Sequence, residues 1–90
     1  MGYLMYSLKF KKSVQKDLKK IGQEASKKIL TEVRNKLLQD PKIGIPLKGH
    51  EGIIWKYRIG DYRVLYTFDE KEIYVLVIRI GHRKVVYRNI

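Results

Sequence analysis

"IWKYRIGDYRVLY", residues 54–66, decides the fold. It reads as two β-strands joined at Gly60-Asp61, a two-residue turn of the kind that closes tight hairpins. Strand side chains alternate faces, so Ile53, Trp55, Tyr57 and Ile59 point one way and Ile54, Lys56 and Arg58 the other. The first set suits a core. The second puts two cations two residues apart, about 7 Å along the strand. Arg63, just past the turn, falls beside Arg58. Three cations on the core hairpin of a small protein call for a common target, because clustered like charges are costly unless an anion neutralises them.

The rest of the chain frames this hairpin. "YLMYSLKF" (3–10) reads as a strand. In "KKSVQKDLKKI" (11–21), Val14, Leu18 and Ile21 form one narrow apolar stripe on an otherwise Lys-covered helix. Gly22 is its stop. A second helix spans 23–40, with Ala25, Ile29, Val33 and Leu37 flanked by Leu30 and Leu38, and Asp40-Pro41 ends it. The spacing predicts a two-helix antiparallel hairpin lying on a sheet. Residues 42–52 read as a loop. Its Gly44 and Gly49 do not make a phosphate loop, since His50-Glu51 follows where Lys and Ser or Thr are needed. Strands are expected over 53–59, 62–69 and 72–80, and a short one at 84–88. The fold class is therefore α+β, with an N-terminal strand, the helix hairpin and an antiparallel meander sheet, as one domain over 1–90. Trp55, Tyr57 and Tyr66 are assigned to the core, and His50 is given no catalytic role.

Charge narrows the function. The 90 residues carry 20 Lys and Arg against nine Asp and Glu, a net +11. Such an excess points to polyanionic partners: nucleic acid, an acidic protein or an anionic membrane. The longest apolar run, "IYVLVI" (73–78), is far too short to span a bilayer. The absence of Cys removes disulfides and thiolate metal sites and fits a reducing cytoplasm. Lys dominates the first half and Arg the second. Lysine is a hydrated point charge suited to steering, whereas arginine offers a planar fork that grips phosphate. Lys11, Lys12, Lys16, Lys19, Lys20, Lys27 and Lys28 on the two helices therefore read as a solvated basic surface open to a polyanion such as RNA. Lys56, Arg58, Arg63, Arg83 and Tyr87 read as a converging constellation, with Arg79 and His82 as further possibilities at the end of the following strand.

The sequence resembles the RelE/ParE superfamily of bacterial and archaeal toxins over nearly its whole length. Four stretches carry the resemblance in order: "FKKSVQKDLKKI", "DPKIGIPLKG", "WKYRIGDYRVLY" and "IRIGHRKVVYR". The resemblance implies a RelE-like fold and a RelB-like antitoxin whose acidic segment neutralises the basic face in a heteromeric complex. Its RelE branch implies a metal-independent endoribonuclease, without cofactors, that cuts mRNA in the ribosomal A site. Lys56 and Arg58 match the family's basic pair, Arg63 the Arg of its "YR", and Arg83 and Tyr87 its C-terminal pair. The ParE branch shares the fold but inhibits DNA gyrase without cutting RNA, and stands as the alternative. Chemically, Lys56 and Tyr87 suit proton transfer because arginine does not give up its proton. Arg63 and Arg83 suit the stabilisation of developing charge.

Overall fold

The computed structural model describes residues 5–88. The elements run β1 (Ser7–Phe10), α1 (Val14–Ile21), α2 (Gln23–Glu32), β2 (Ile45–Pro46), β3 (Trp55–Ile59), β4 (Tyr62–Asp69) and β5 (Tyr74–His82). The first two residues assigned to the N-terminal strand, 3–4, lie outside the described residues.

The helix hairpin forms as the apolar spacing predicts. Gly22 has φ 91°, a conformation that costs glycine little, and its N–H closes the last turn of α1 on the Leu18 carbonyl. The same carbonyl accepts the Ser26 hydroxyl at 2.9 Å, which ties the start of α2 to the end of α1. After Glu32 the helix widens into a π-type turn over Val33–Leu37, with the Leu38 N–H reaching the Val33 carbonyl. This extra residue per turn lets Val33, Leu37 and Leu38 all reach the interior. Asp40 leaves the helix in an extended conformation, and Pro41–Ile43 form one tight 3₁₀ turn that the sequence pattern had left in a loop.

The sheet is five-stranded and mixed, in the order β1-β5-β4-β3-β2. Strands β3, β4 and β5 make the antiparallel meander, while β1 pairs parallel to β5 at the far edge. The helices cover one face. Val14, Ile29, Val33, Leu37 and Leu38 pack against Ile59, Val64, Tyr66, Val75, Val77 and Ile80, with Trp55 and Tyr57 partly buried at the margin. The assignment of Trp55, Tyr57 and Tyr66 to the core holds. Ile53 does not join it: the strand begins two residues later, and Ile53 lies in a turn, 64% exposed.

Two departures shape the site. The strand expected at 84–88 does not form. His82 accepts the Val85 and Val86 N–H groups, so residues 83–88 turn back instead of extending. The fifth strand is instead β2, too short to show alternation. Second, the β4–β5 register slips at one point: Leu65 pairs with Arg79 but Tyr66 with Val77, which leaves Ile78 as an extra residue. This β-bulge changes the parity of the strand. Val75 and Val77 face the core before it and Ile80 after it.

Candidate active site

The site is built on the sheet face away from the helices. Val64 and Tyr66 point into the core, so their neighbours Arg63 and Leu65 point outward. The register sets Lys56 opposite Leu65 and Arg58 opposite Arg63, with Gly81 beyond Arg63. The alternation read from the hairpin therefore places all three cations together.

The turned-back segment completes the face. Its start is fixed by the Arg83 N–H, which donates to the Asp61 carbonyl at 2.8 Å and prolongs the β4–β5 ladder. It then folds over the sheet. Val86 lies directly on Gly81: a β-carbon on that glycine would touch the Val86 side chain at 3.5 Å. Val86 and Leu65 are both fully buried, yet neither belongs to the helix-side core. Val86 packs on Gly81 under the segment, on the face to which Leu65 also points. Burying each is worth about 1.5–3 kcal/mol, enough to hold residues 83–88 in place. Tyr87, next to Val86, brings its ring to 5.8 Å from the Lys56 ammonium. Lys56, Arg58 and Arg63 thus share one face, the Tyr87 ring lies near Lys56, and the backbone of Arg83 is pinned at the hairpin turn beside them.

No carboxylate pairs with these cations among the described residues. Among the described residues, the ion pairs are Lys36–Glu32, Lys42–Glu70 and Arg79–Asp17; none involves Lys56, Arg58, Arg63 or Arg83. Arg63 is partly committed: its Nη1 donates to the Gly60 carbonyl at 3.0 Å and the Tyr62 carbonyl at 2.9 Å, bracing the hairpin turn. Arg58 and Arg83 are exposed.

The two further possibilities have structural partners. Arg79 reaches round the β5 edge, its Nη2 3.7 Å from Asp17 and its Nη1 donating to the Arg88 carbonyl at 2.7 Å. His82 accepts the Lys84 N–H on Nδ1 at 3.3 Å and packs its ring edge-on to Tyr62. His82 caps the turn that carries Arg83.

The helix lysines are all exposed, on the opposite side of the sheet from Lys56 and Tyr87. Lys11, Lys16 and Lys20 line an open groove of about 440 Å³ with Arg79 at the β5 edge. Lys12 flanks a second groove, over Phe10, Val14 and Leu18. Lys27 and Lys28 are interspersed with Glu24 and Glu32. Lys19 lies on the solvent side of α1. The lysines do not line the constellation.

The Gly44–Gly49 loop is no anion cradle: the Gly49 N–H is taken by the Glu51 carboxylate at 3.0 Å. That bond, with one from its own backbone N–H, holds Glu51 below the usual carboxylate range. Among the described residues, no three His, Asp or Glu side chains come together to hold a metal ion, and no helix is long and apolar enough to cross a membrane.

Sequence reasoning passed over Asp17. It is the buried charged residue of the helix side, 8% exposed, and its Oδ2 accepts the Ile80 N–H at 3.0 Å. Its signal was present: Asp17 falls inside the Val14, Leu18, Ile21 stripe, where an acid has no business unless it is bonded.

Comparison with known proteins places this architecture. Residues 8–87 match the family model of the ParE toxin of type II toxin–antitoxin systems, and the chain belongs to that family. It is a toxin of the RelE/ParE type. It is 27% identical over 84 residues to the toxin RelG of Mycobacterium tuberculosis, covering 92% of this chain and 97% of that one. It is 29% identical to the toxin RelE of the same organism, over 92% of this chain and 87% of the relative. Among solved structures, the M. tuberculosis toxin–antitoxin complex RelBE2 superposes with a TM-score of 0.81 at 26% identity, covering 91% and 95% of the two chains. The archaeal RelE–RelB complex of Pyrococcus horikoshii gives 0.72 at 27% identity, over 92% and 100%. The α+β fold with its helix hairpin and meander is the RelE-like fold.

Proposed function

We propose that this toxin is a metal-independent endoribonuclease that cuts mRNA in the ribosomal A site. The observation that carries the reading is the set of Lys56, Arg58 and Arg63 on one face, with the Tyr87 ring near Lys56 and Arg83 pinned beside them, without carboxylate partners. RNA brings its own nucleophile. The 2′-hydroxyl attacks the adjacent phosphorus, the new O2′–P bond forms as the P–O5′ bond breaks, and the products are a 2′,3′-cyclic phosphate and a 5′-hydroxyl. The protein removes the proton from the 2′-oxygen, stabilises the extra charge on the phosphorane and supplies a proton to the 5′-oxygen. Tyr87 and Lys56, whose ammonium lies over the Tyr87 ring 5.8 Å from its centre, are the groups assigned to proton transfer. Arg83, exposed and anchored through its backbone, stabilises the phosphorane. Arg58 and Arg63 hold the flanking phosphate in a fixed geometry. The exposed helix lysines supply a wider electrostatic grip on ribosomal RNA.

The partner that restrains this activity is a RelB-like antitoxin. The solved relatives of similar fold include toxin–antitoxin complexes, and a net +11 favours an acidic segment laid over the basic face. Toxin and target meet in the cytoplasm.

The test is end-mapping of an mRNA on programmed ribosomes with wild type and Arg83→Ala. A-site cuts ending in a cyclic phosphate are expected, with Arg83→Ala slower by on the order of 10²–10³-fold. A folded, toxic wild type that leaves the mRNA whole would refute the reading. The second reading, gyrase inhibition, is favoured by the ParE name of the matching family model. Blocked supercoiling with intact mRNA is its expected result.

A further inference from the structure

Tyr87 is held from both sides. Val86 before it is buried on Gly81, and the carbonyl of Arg88 after it accepts the Arg79 guanidinium. The bonds made by the Arg83, Lys84, Val85 and Val86 N–H groups lie before Tyr87, and the Arg88 N–H returns to the Val85 carbonyl at 3.1 Å inside the same turn. The bond that ties the chain after Tyr87 to the sheet comes from the Arg79 fork.

What aims that fork lies across the sheet. Strand β1 stops covering β5 at the Lys11 N–H to Val77 carbonyl bond. Beyond that point the β5 edge is open, and the Ile80 N–H, in a residue buried at 1% exposure, needs an acceptor from elsewhere. Asp17 Oδ2 supplies it from α1, while Oδ1 faces Arg79 at 3.7 Å. The bulge at Ile78 makes both contacts possible by turning Ile80 into the core and freeing Arg79 to reach the α1 side. A guanidinium is planar and rigid, so fixing one nitrogen fixes the direction of the other. Asp17, paired with Nη2 at 3.7 Å by charge, therefore biases where Nη1 holds the Arg88 carbonyl.

We propose that Asp17, on the helix side of the sheet, is a positioning residue for Tyr87 on the outer face, acting through Arg79 and the Arg88 carbonyl. Its kinetic consequence rests on the ribonuclease reading above; the contact it controls does not. A buried carboxylate needed only for stability would require the Ile80 bond alone. The second oxygen turned to Arg79, and the use of the same fork on the segment that carries Tyr87, make it a link between two faces.

The decisive variant is Asp17→Asn, whose amide oxygen still accepts the Ile80 N–H but no longer draws the guanidinium. Three quantities are read on the full chain. Protection of the Ile80 amide from hydrogen exchange is retained. The nuclear Overhauser contact between the Lys56 side chain and the Tyr87 ring weakens. Single-turnover A-site cleavage slows by on the order of tenfold to a hundredfold, while the half-saturating toxin concentration stays within about twofold. In a Tyr87→Phe background, Asp17→Asn adds no further slowing, because both changes act on one group.

An unchanged Lys56–Tyr87 contact in Asp17→Asn overturns the proposal whatever the activity. So do losses that multiply in the double variant. If the contact loosens but wild type cuts no RNA, the positioning stands and the ribonuclease reading falls. Should Asp17→Asn fail to fold, Arg79→Met leaves the Asp17–Ile80 bond intact and carries the same measurements.

Discussion

Replacing Gly44 with Ala tests the junction between the loop and the site. Gly44 has φ −76° and ψ −170°, an extended backbone that any residue adopts. Glycine is needed there for space. A β-carbon would overlap the Tyr66 hydroxyl, lie 2.6 Å from the Lys56 carbonyl oxygen and 3.1 Å from Tyr66 Cζ. Neither neighbour can yield cheaply. Tyr66 is fully buried with its hydroxyl donating to the Pro41 carbonyl, and the Lys56 carbonyl belongs to β3, where Lys56 pairs with Ile45. Overpacking costs about 1–3 kcal/mol, and breaking the Tyr66–Pro41 bond with its acceptor left buried adds about 1–3 kcal/mol. Together they predict a loss of about 3–4 kcal/mol, and a fall in Tm on the order of 15–25 °C for a domain of this size. Thermal unfolding followed by circular dichroism reads it. Gly44→Ala combined with Tyr66→Phe recovers only part of the loss, because the Lys56 carbonyl remains in the way. Gly22→Ala is the contrast: nothing lies within 4 Å, but φ is 91°, so the cost is backbone strain of about 1–2 kcal/mol. A Gly44→Ala protein that melts within about 3 °C of wild type would refute the steric reasoning.

Burial pushes the Tyr66 hydroxyl well above the ordinary tyrosine value of 10.0, with the Asp40 carboxylate adding to the rise and the Gly44 N–H partly offsetting it. The group's stabilising effect is complete below the unfolded value and is lost as pH rises toward the folded one. Above pH 10 wild type should lose stability about 1.4 kcal/mol per pH unit faster than Tyr66→Phe, as urea unfolding at stepped pH will show. His82→Ala removes the acceptor for the Lys84 N–H and should cost about 1 kcal/mol in the same assay, with His82→Asn restoring part of it. Replacing Lys11, Lys16 and Lys20 with Gln should lower the salt dependence of RNA binding by about two in the log–log slope, measured by fluorescence anisotropy.

Much of this was legible in the sequence because it is local. The 3.6-residue stripe of α1, the glycine at its end and the period-2 alternation across Lys56, Arg58 and Arg63 each express themselves within ten residues. What escaped depends on contacts between distant segments. The bulge at Ile78 leaves no residue-type signature, yet it decides that Ile80 is core and that Arg79 turns toward Asp17. Residues 84–88 carry two valines and a tyrosine, a strand-like run, but His82 captures the following N–H groups and Val86 finds its cover on Gly81. The constellation itself was readable; the fold brings Tyr87 to Lys56 by a turn where a strand was expected. The helix lysines kept their exposure but fell on the other face, since a helix packed on a sheet presents its polar side outward.

The parallel pairing of β1 with β5 bears on how the chain reaches this state. Ser7 meets Tyr74 about 67 positions later, whereas the β3–β4 and β4–β5 pairs close over a few residues. Bringing distant segments together costs chain entropy before any contact rewards it. The meander and the helix hairpin are therefore expected to form first, with β1 docking afterwards. Leu8→Ala, in β1, should leave the folding rate nearly unchanged and raise the unfolding rate by the full loss of stability, whereas Val64→Ala in the meander should slow folding. The order has a consequence for opening. A strand that docks late covers the β5 edge up to the point where the Asp17–Arg79 link begins, so the release of β1 is expected to expose that edge before the rest of the sheet opens.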